Sequence, residues 1–340
     1  MVLLPSHGNL IDEIVRDGYR VCDRIIMSLE GHNHYSMAKS LGVFLSSFVE
    51  TLHREQPDWV VLAGDRGEQL MGAIAAAYTY RPVAHIQAGE RSGNIDGVAR
   101  HAIGKFVHLH FAANQDAADR LVRLGEDPFR VHLVGAPQLD ELRSSLLPDR
   151  AGLSAEIGLD EDDYLLVVLH PVTEEYDSAT EHTLQIIEAL NRFELNKVWV
   201  LPNNDAGAGS VRRTILENRN TDTLIYDNLS RLNYLSLLKH ASAIVGNSSS
   251  GILEAPTFGT PTVNIGRRQA DRVQGKNVIN AHNDIKSIEA AIQMAVDPVF
   301  RESIKNTENP YGDGRSSNRI LDILSRTKID DRLLVKRLTY

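Results

Sequence analysis

The stretch AIVGNSSSGILEAPTFGTP, residues 243–261, carries the signature of the fold. A short apolar run, Ala243 to Val245, is followed by small polar residues from Asn247 to Ser250, and Gly251 opens a segment of helical character. Strand, turn and helix in immediate succession form the unit from which parallel sheets are wound. Small hydroxyl residues at a helix N-terminus also gather side-chain donors, free backbone amides and a dipole, which suits a diphosphate. A plain serine cap is the other reading of these residues. Glu254, one turn further on, can accept hydrogen bonds from both hydroxyls of a ribose. The stretch is neither a Walker loop, for it has no GxxxxGK[ST], nor a GxGxxG dinucleotide fingerprint.

The same alternation recurs along the chain. Apolar runs at Trp59–Leu62, Pro82–Ile86, Leu165–Leu169 and Lys197–Leu201 each lead into a polar or glycine-containing turn. Between them, Glu68–Tyr78, Ala117–Leu124, Glu181–Arg192 and Leu232–His240 place apolar residues three and four apart, as amphipathic helices do. The chain is therefore expected to be α/β, with parallel βαβ units. The polar stretch from Ser144 to Asp163 separates two such series, so the join is placed near residue 150. The expected organisation is a Rossmann-like domain over 1–150, a second over 151–315 and a terminal helix over 316–340. Two doubly wound domains would set the loops after their strands around a shared cleft. No repeat, heptad run or low-complexity tract is present.

Composition narrows the function classes. The 340 residues, 42% of them hydrophobic, are enough for two domains with real cores. A formal charge of −9 offers no overall field for nucleic acid or an anionic membrane, so a phosphate must be captured by local donors. The single cysteine, Cys22, excludes an internal disulfide framework and a multi-cysteine zinc site, which fits a reducing cytoplasm. No export signal or spanning segment is read, so neither membrane nor nucleic acid is an expected partner.

Four further strand ends concentrate chemistry. After WVVL come Gly64, Asp65 and Arg66; Asp65 is either a helix cap or a group turned to a ligand. After PVAHI comes QAGERSGNID, residues 87–96, with Arg100 and His101 on the next helix. Gly89 and Gly93 permit close backbone approach, while Asp96, Arg100 and His101 add titratable groups. His170-Pro171 follows YLLVVL, where a histidine can bind phosphate or move a proton. Asn203, in PNNDAG, can hydrogen-bond a sugar or base, or simply serve a turn. No cluster with metal-ligand spacing is evident, so no metal is expected.

Taken together, GDRGE, HIQAGERSGNID, RHAIGKF, HPVTEE, PNNDAG, GNSSSGILEAPTFGTPTVNIG and RRQADR resemble the hydrolysing UDP-N-acetylglucosamine 2-epimerases and their UDP-diacetylbacillosamine counterparts, in family order through nearly the whole chain. The resemblance implies two Rossmann-like domains of the glycosyltransferase B type, with UDP held mainly by the C-terminal one. It places UDP contacts on Arg66, His170, Asn203, Ser248, Ser249, Glu254 and Arg268, and catalytic positions on Asp65, Gln87 and Asp96. Many members have glutamate where Gln87 stands, and an amide cannot accept a proton as a carboxylate does. The segment Gln269–Arg272 also departs from the family pattern. The opening residues resemble the region after the family's second strand, so the N-terminal domain is expected to lack its first βα unit, leaving an apolar sheet edge exposed.

The implied chemistry is loss of UDP from C1 with removal of the C2 proton, then addition of water to a glycal-like intermediate. It is redox-neutral, so no cofactor is expected. A homodimer and a place in nonulosonic (sialic- or legionaminic-type) acid synthesis are implied as well. The alternatives are a non-hydrolysing epimerase or glycosyltransferase of the same fold, and an inactive nucleotide-sugar binding protein.

Overall fold

A computed structural model describes residues 3, 11–29, 34–92, 95–143, 147–159, 163–202, 207–337 and 339. The chain divides into two compact units, one formed by 2–140 with 311–340 and the other by 141–310.

The first unit holds a parallel four-stranded sheet in the order β1-β2-β3-β4, with β1 at Val60–Ala63, β2 at Val83–Ile86, β3 at Leu109–Ala112 and β4 at Val131–Leu133. Alternate residues feed opposite faces. Val83 packs with Leu52, Ala73, Ala76 and Ile103 from the helices on one side, whereas Ala84 packs with Leu109, Phe111, Ile320 and Leu333 on the other. The helix Ser316–Arg326 thus belongs to this unit's core. Among the described residues β1 is an edge strand, and its second residue, Val61, is 47% exposed.

The second unit holds a parallel six-stranded sheet in the order β10-β9-β8-β5-β6-β7. Its strands are β5 at Tyr164–Val168, β6 at Asn196–Val200, β7 at Thr223–Tyr226, β8 at Ala243–Gly246, β9 at Thr262–Ile265 and β10 at Val278–Ala281. Every residue of β5, β8 and β9 is buried, the near-continuous apolar run required when helices cover both faces. Leu165 and Val167 face the cluster containing Ile186, Val211, Ile288 and Ile292; Tyr164, Leu166 and Val168 face Leu153, Leu237, Leu238 and Ala255. The strand order reverses between β5 and β8, where doubly wound sheets expose the loops that bind ligands.

Two readings are corrected. The terminal run 316–340 is not one helix: Ser316–Arg326 ends at an extended Thr327, and a separate turn, Asp331–Leu334, begins where the Asp330 carboxylate caps Leu333 N–H. The segment after the serines is not one helix either. Ser250–Leu253 and Ala255–Phe258 are single turns broken at Glu254, because Pro256 has no N–H to continue the ladder. Among the described residues, no helix is long and apolar enough to cross a membrane.

A buried ionic cluster ties the chain's end to the first unit. Glu126 accepts from His110 Nε2 at 2.9 Å, Lys105 Nζ at 3.0 Å and Lys336 Nζ at 2.6 Å. Arg130, fully buried, donates to the carbonyls of Leu333 and Arg332 at 2.7 and 2.8 Å. Burial opposes the Glu126 charge, yet the His110 hydrogen bond and Lys336 more than offset it, taking the carboxyl down to about 2. Burial pushes His85 down to about 3, and His108 and His110 to about 4.

Two predictions follow from this chemistry. Glu126→Gln leaves Lys336 short of its counter-charge and is expected to cost about 3 kcal/mol in urea unfolding, because a buried charge loses its partner. The three histidines are depressed, so their stability contribution is complete above their ordinary value near 6.5 and is lost as pH falls from there toward 3 to 4; Glu126 adds a further loss from about 4.5 toward 2. Unfolding midpoints should therefore drop steadily between pH 7 and pH 4, with net proton uptake on unfolding; a flat profile would contradict the buried neutral histidines.

Candidate functional site

In the first unit, the register pairs Leu62 with His85 and Ala63 with Ile86, so the loops leaving β1 and β2 emerge side by side. The N-cap position of the helix Gly67–Tyr78 falls on Arg66, not Asp65, and the Arg66 side chain makes no capping hydrogen bond. The Asp65 carboxylate is turned to the buried Arg100 guanidinium, and Ser92 Oγ donates to it at 3.1 Å. Arg100 also donates to the Gln87 carbonyl at 2.5 Å, and one side chain thereby holds both loops. His85 sits beneath them with Nε2 2.7 Å from the Gly64 carbonyl, and burial keeps its imidazole neutral.

Gln87 adopts a positive φ of 59°, a tight reversal that swings the chain away from the strand. At Gly89, with φ +77°, an added Cβ would lie 2.5 Å from the Ala117 carbonyl oxygen, so only glycine fits the close packing there. Asp96 stands half-buried in the first turn of the helix Ile95–Phe106, and at the next residue, Gly97, a Cβ would lie 2.6 Å from the Ser92 carbonyl oxygen. That close approach brings the start of this helix to the loop whose Ser92 bonds Asp65. Asp65, Gln87 and Asp96 are thus parts of one local constellation. Arg66 borders it, with Nε 3.6 Å from Glu68. Gly93 lies outside the described residues.

In the second unit, Val168 of β5 pairs with Gly246 of β8, placing the His170 and Asn247 loops together at the switch point. An added Cβ at Gly246, φ +134°, would lie 2.2 Å from the Val168 carbonyl oxygen. Asn247, only 3% exposed, then clamps the neighbouring loop: the His170 N–H donates to its Oδ1 and its Nδ2 donates to the His170 carbonyl, both at 2.8 Å. The Asn247 carbonyl accepts from Arg268 Nη1 at 3.1 Å and Gln269 Nε2 at 3.0 Å. His170 and Arg268 are thereby bound to one residue, and Ser248 and Ser249 follow it directly.

Ser248 Oγ lies 3.3 Å from both the amide and the hydroxyl of Ser250, so the hydroxyls form a linked set. With the helix here reduced to one turn, these hydroxyls and amides are the donors, and a long helix dipole is not. Glu254, 5% exposed, differs from its expected state: Oε1 already accepts from Arg231 Nη2 at 2.6 Å, and Oε2 is buried with no hydrogen-bond partner among the described residues. Asn203 lies outside the described residues. Among the described residues, no three His, Cys, Asp or Glu side chains are placed to share a metal ion.

The sequence reading passed over Asn247 and Arg231. Asn247 stood beside the serines and could have been found from the need to join two loops at a switch point. Arg231 lies on another helix, remote in sequence from Glu254, and nothing local marks it.

The family model described as UDP-N-acetylglucosamine 2-epimerase matches residues 6–325. A Legionella pneumophila protein named UDP-N,N'-diacetylbacillosamine 2-epimerase (hydrolyzing) is 36% identical over the whole of this chain and 90% of its own length. A Neisseria meningitidis protein named UDP-N-acetylglucosamine 2-epimerase is 34% identical over 87% of this chain and 78% of its own. Among solved structures, a UDP-GlcNAc 2-epimerase from Neisseria meningitidis bound to UDP-GlcNAc superimposes with a TM-score of 0.79, covering 95% of this chain and 90% of that one at 19% identity. One from Methanocaldococcus jannaschii, in complex with UDP-GlcNAc and UDP, gives 0.75 over 93% and 88% at 21% identity. The two parallel sheets, the strand-end loops and the family match over nearly the full length together place this chain in the UDP-N-acetylglucosamine 2-epimerase family.

Proposed function

We propose that this chain is a hydrolysing 2-epimerase that converts a UDP-N-acetyl sugar to UDP and the free 2-epimer. The observation that carries the reading is the switch-point cluster of the second unit. The Asn247 clamp holds His170 and Arg268, the Ser248 and Ser249 hydroxyls lie beside it, and Glu254 offers a buried, unpartnered oxygen. Donors and cations of this kind suit a diphosphate, and an acceptor suits the ribose. The names of the Legionella relative and of a Campylobacter jejuni relative, 30% identical over 98% of this chain, support the hydrolysing type. They make UDP-N,N'-diacetylbacillosamine a substrate to test beside UDP-N-acetylglucosamine.

In the proposed reaction, the C1–O bond to UDP breaks as the C2 proton is removed, leaving a C1–C2 double bond and free UDP. Water then adds across that bond: hydroxyl goes to C1, and a proton returns to C2 from the opposite face. A C2–H is weakly acidic, so a base must be positioned against it while the departing diphosphate is stabilised. Asp65 and Asp96 share the proton transfers; Arg66, His170, Asn203, Ser248, Ser249 and Arg268 stabilise UDP. Gln87 holds the third catalytic position through its amide, without accepting a proton. We further propose cytoplasmic work as a homodimer, supplying nonulosonic acid synthesis.

The direct test incubates the protein with each UDP sugar in D2O and follows UDP release and the sugar by NMR. Free 2-epimer carrying one deuteron at C2 is the expected product; UDP binding without release would instead favour a binding protein, the reading that Gln87 motivates. Asp96→Asn should lower kcat about 10²- to 10⁴-fold, the usual worth of a general acid or base, with UDP affinity little changed. Ser248→Ala should weaken UDP binding about 5- to 10-fold, the loss of roughly one hydrogen bond; calorimetry checks it.

A further inference from the structure

The Glu254 carboxylate does not stand alone. It is 5% exposed, and one oxygen, Oε1, is taken by Arg231 Nη2 at 2.6 Å. Arg231 is itself held from behind, its Nε donating to Glu141 Oε2 at 3.1 Å. The elements carrying the pair are rigid. Ser230 caps the helix Arg231–His240 by accepting from Asn233 N–H, and Leu235, Leu237 and Leu238 of that helix are fully buried. Leu237 and Leu238 pack in the same cluster as Ala255, the residue after Glu254. Guanidinium and carboxylate are therefore presented to each other from two anchored segments.

A carboxylate buried beside serine hydroxyls, at the end of a one-turn helix, has every reason to turn toward those nearby donors. Arg231 removes that freedom. By binding Oε1 it holds that side of the carboxylate and leaves Oε2, among the described residues, without a hydrogen-bond partner.

We propose that Arg231 is a positioning residue of the nucleotide site: it orients Glu254 so that Oε2 receives the ribose hydroxyls, and so sets discrimination for a ribonucleotide. This rests on the reading that the switch-point cluster binds UDP. Arg231 acts through Glu254 and needs no contact with the nucleotide.

The test compares UDP with 2′,3′-dideoxy-UDP by calorimetry on the full chain, for the unaltered protein, Arg231→Met and Arg231→Gln. Hydrogen bonds to a charged acceptor are each worth about 10- to 100-fold in affinity. The unaltered protein should therefore prefer UDP by about 10²-fold. In Arg231→Met that preference should fall below about 10-fold, through loss of UDP affinity alone, with dideoxy-UDP affinity held within about 3-fold. An intact preference in a folded Arg231→Met protein, or equal weakening of both nucleotides, would overturn the positioning role while leaving the UDP site standing. An unaltered protein that binds no UDP, or binds both nucleotides alike, would overturn the site reading and the Arg231 role with it. Circular dichroism monitors folding. If Arg231→Met does not fold, Arg231→Gln faces the same comparison, and an intact preference there overturns the proposal.

Discussion

The second unit depends on what Asn247 does with its amide. Strands β5 and β8 are neighbours in a sheet whose order reverses between them, so the loops that leave them head to opposite faces and have no backbone ladder in common. A reciprocal pair of hydrogen bonds from Asn247 to the His170 backbone, at 2.8 Å each, replaces that missing ladder. Neither aspartate nor leucine could substitute, since only an amide offers both a donor and an acceptor at the same reach. Arg268 and Gln269 then bind the Asn247 carbonyl, so the loop after β9 is fastened to the same point. Three loops from three strands become one rigid surface, and preorganised donors of this kind stabilise developing negative charge at no reorganisation cost.

The first unit solves the same problem with charge. Arg100, 2% exposed, binds the Asp65 carboxylate from one loop and the Gln87 carbonyl from the next. A buried guanidinium is costly to desolvate, and it is tolerated where its terminal nitrogens meet polar partners, as both of those of Arg100 do. The Glu126 cluster and the Arg130 bonds to the Arg332 and Leu333 carbonyls follow the same rule at the other face of the sheet, where they secure the end of the chain. This unit therefore carries a load of buried charge and neutral histidine, whereas the core clusters of the second unit are apolar on both faces of its sheet.

The sequence made some of this legible and hid the rest, for physical reasons. Strands such as Tyr164–Val168 and Ala243–Gly246 were readable because burial on both faces demands an unbroken apolar run, and their helices because one stripe must match them. Strands β3 and β4 are hard to read, since Leu-His-Phe-Ala and Val-His-Leu carry histidines that look polar but are kept toward the neutral form by burial. The break at Glu254 was visible in principle, because Pro256 cannot continue a helix from Ile252. The Arg231–Glu254 pair was not, because tertiary contacts between remote helices leave no periodic trace. For the same reason the sequence leaves Asp65 two readings, and it is the fold that brings Arg100 and Ser92 to its carboxylate.

Gln87 shows how chemistry and architecture separate at one residue. Its φ of 59° and the bond from Arg100 to its carbonyl are properties of the backbone, which the side chain does not supply. An exchange between glutamate and glutamine at this position therefore leaves the turn, the Arg100 bond and the Asp65 geometry as they are. It changes the charge of the side chain and whether it can take a proton. In the proposed mechanism the amide narrows the proton-transfer groups of the constellation, and the demand for a base falls on the carboxylates of Asp65 and Asp96. Of these, Asp65 is already tied to a buried cation and a serine hydroxyl, so its carboxylate is held in place by the same contacts that join the two loops.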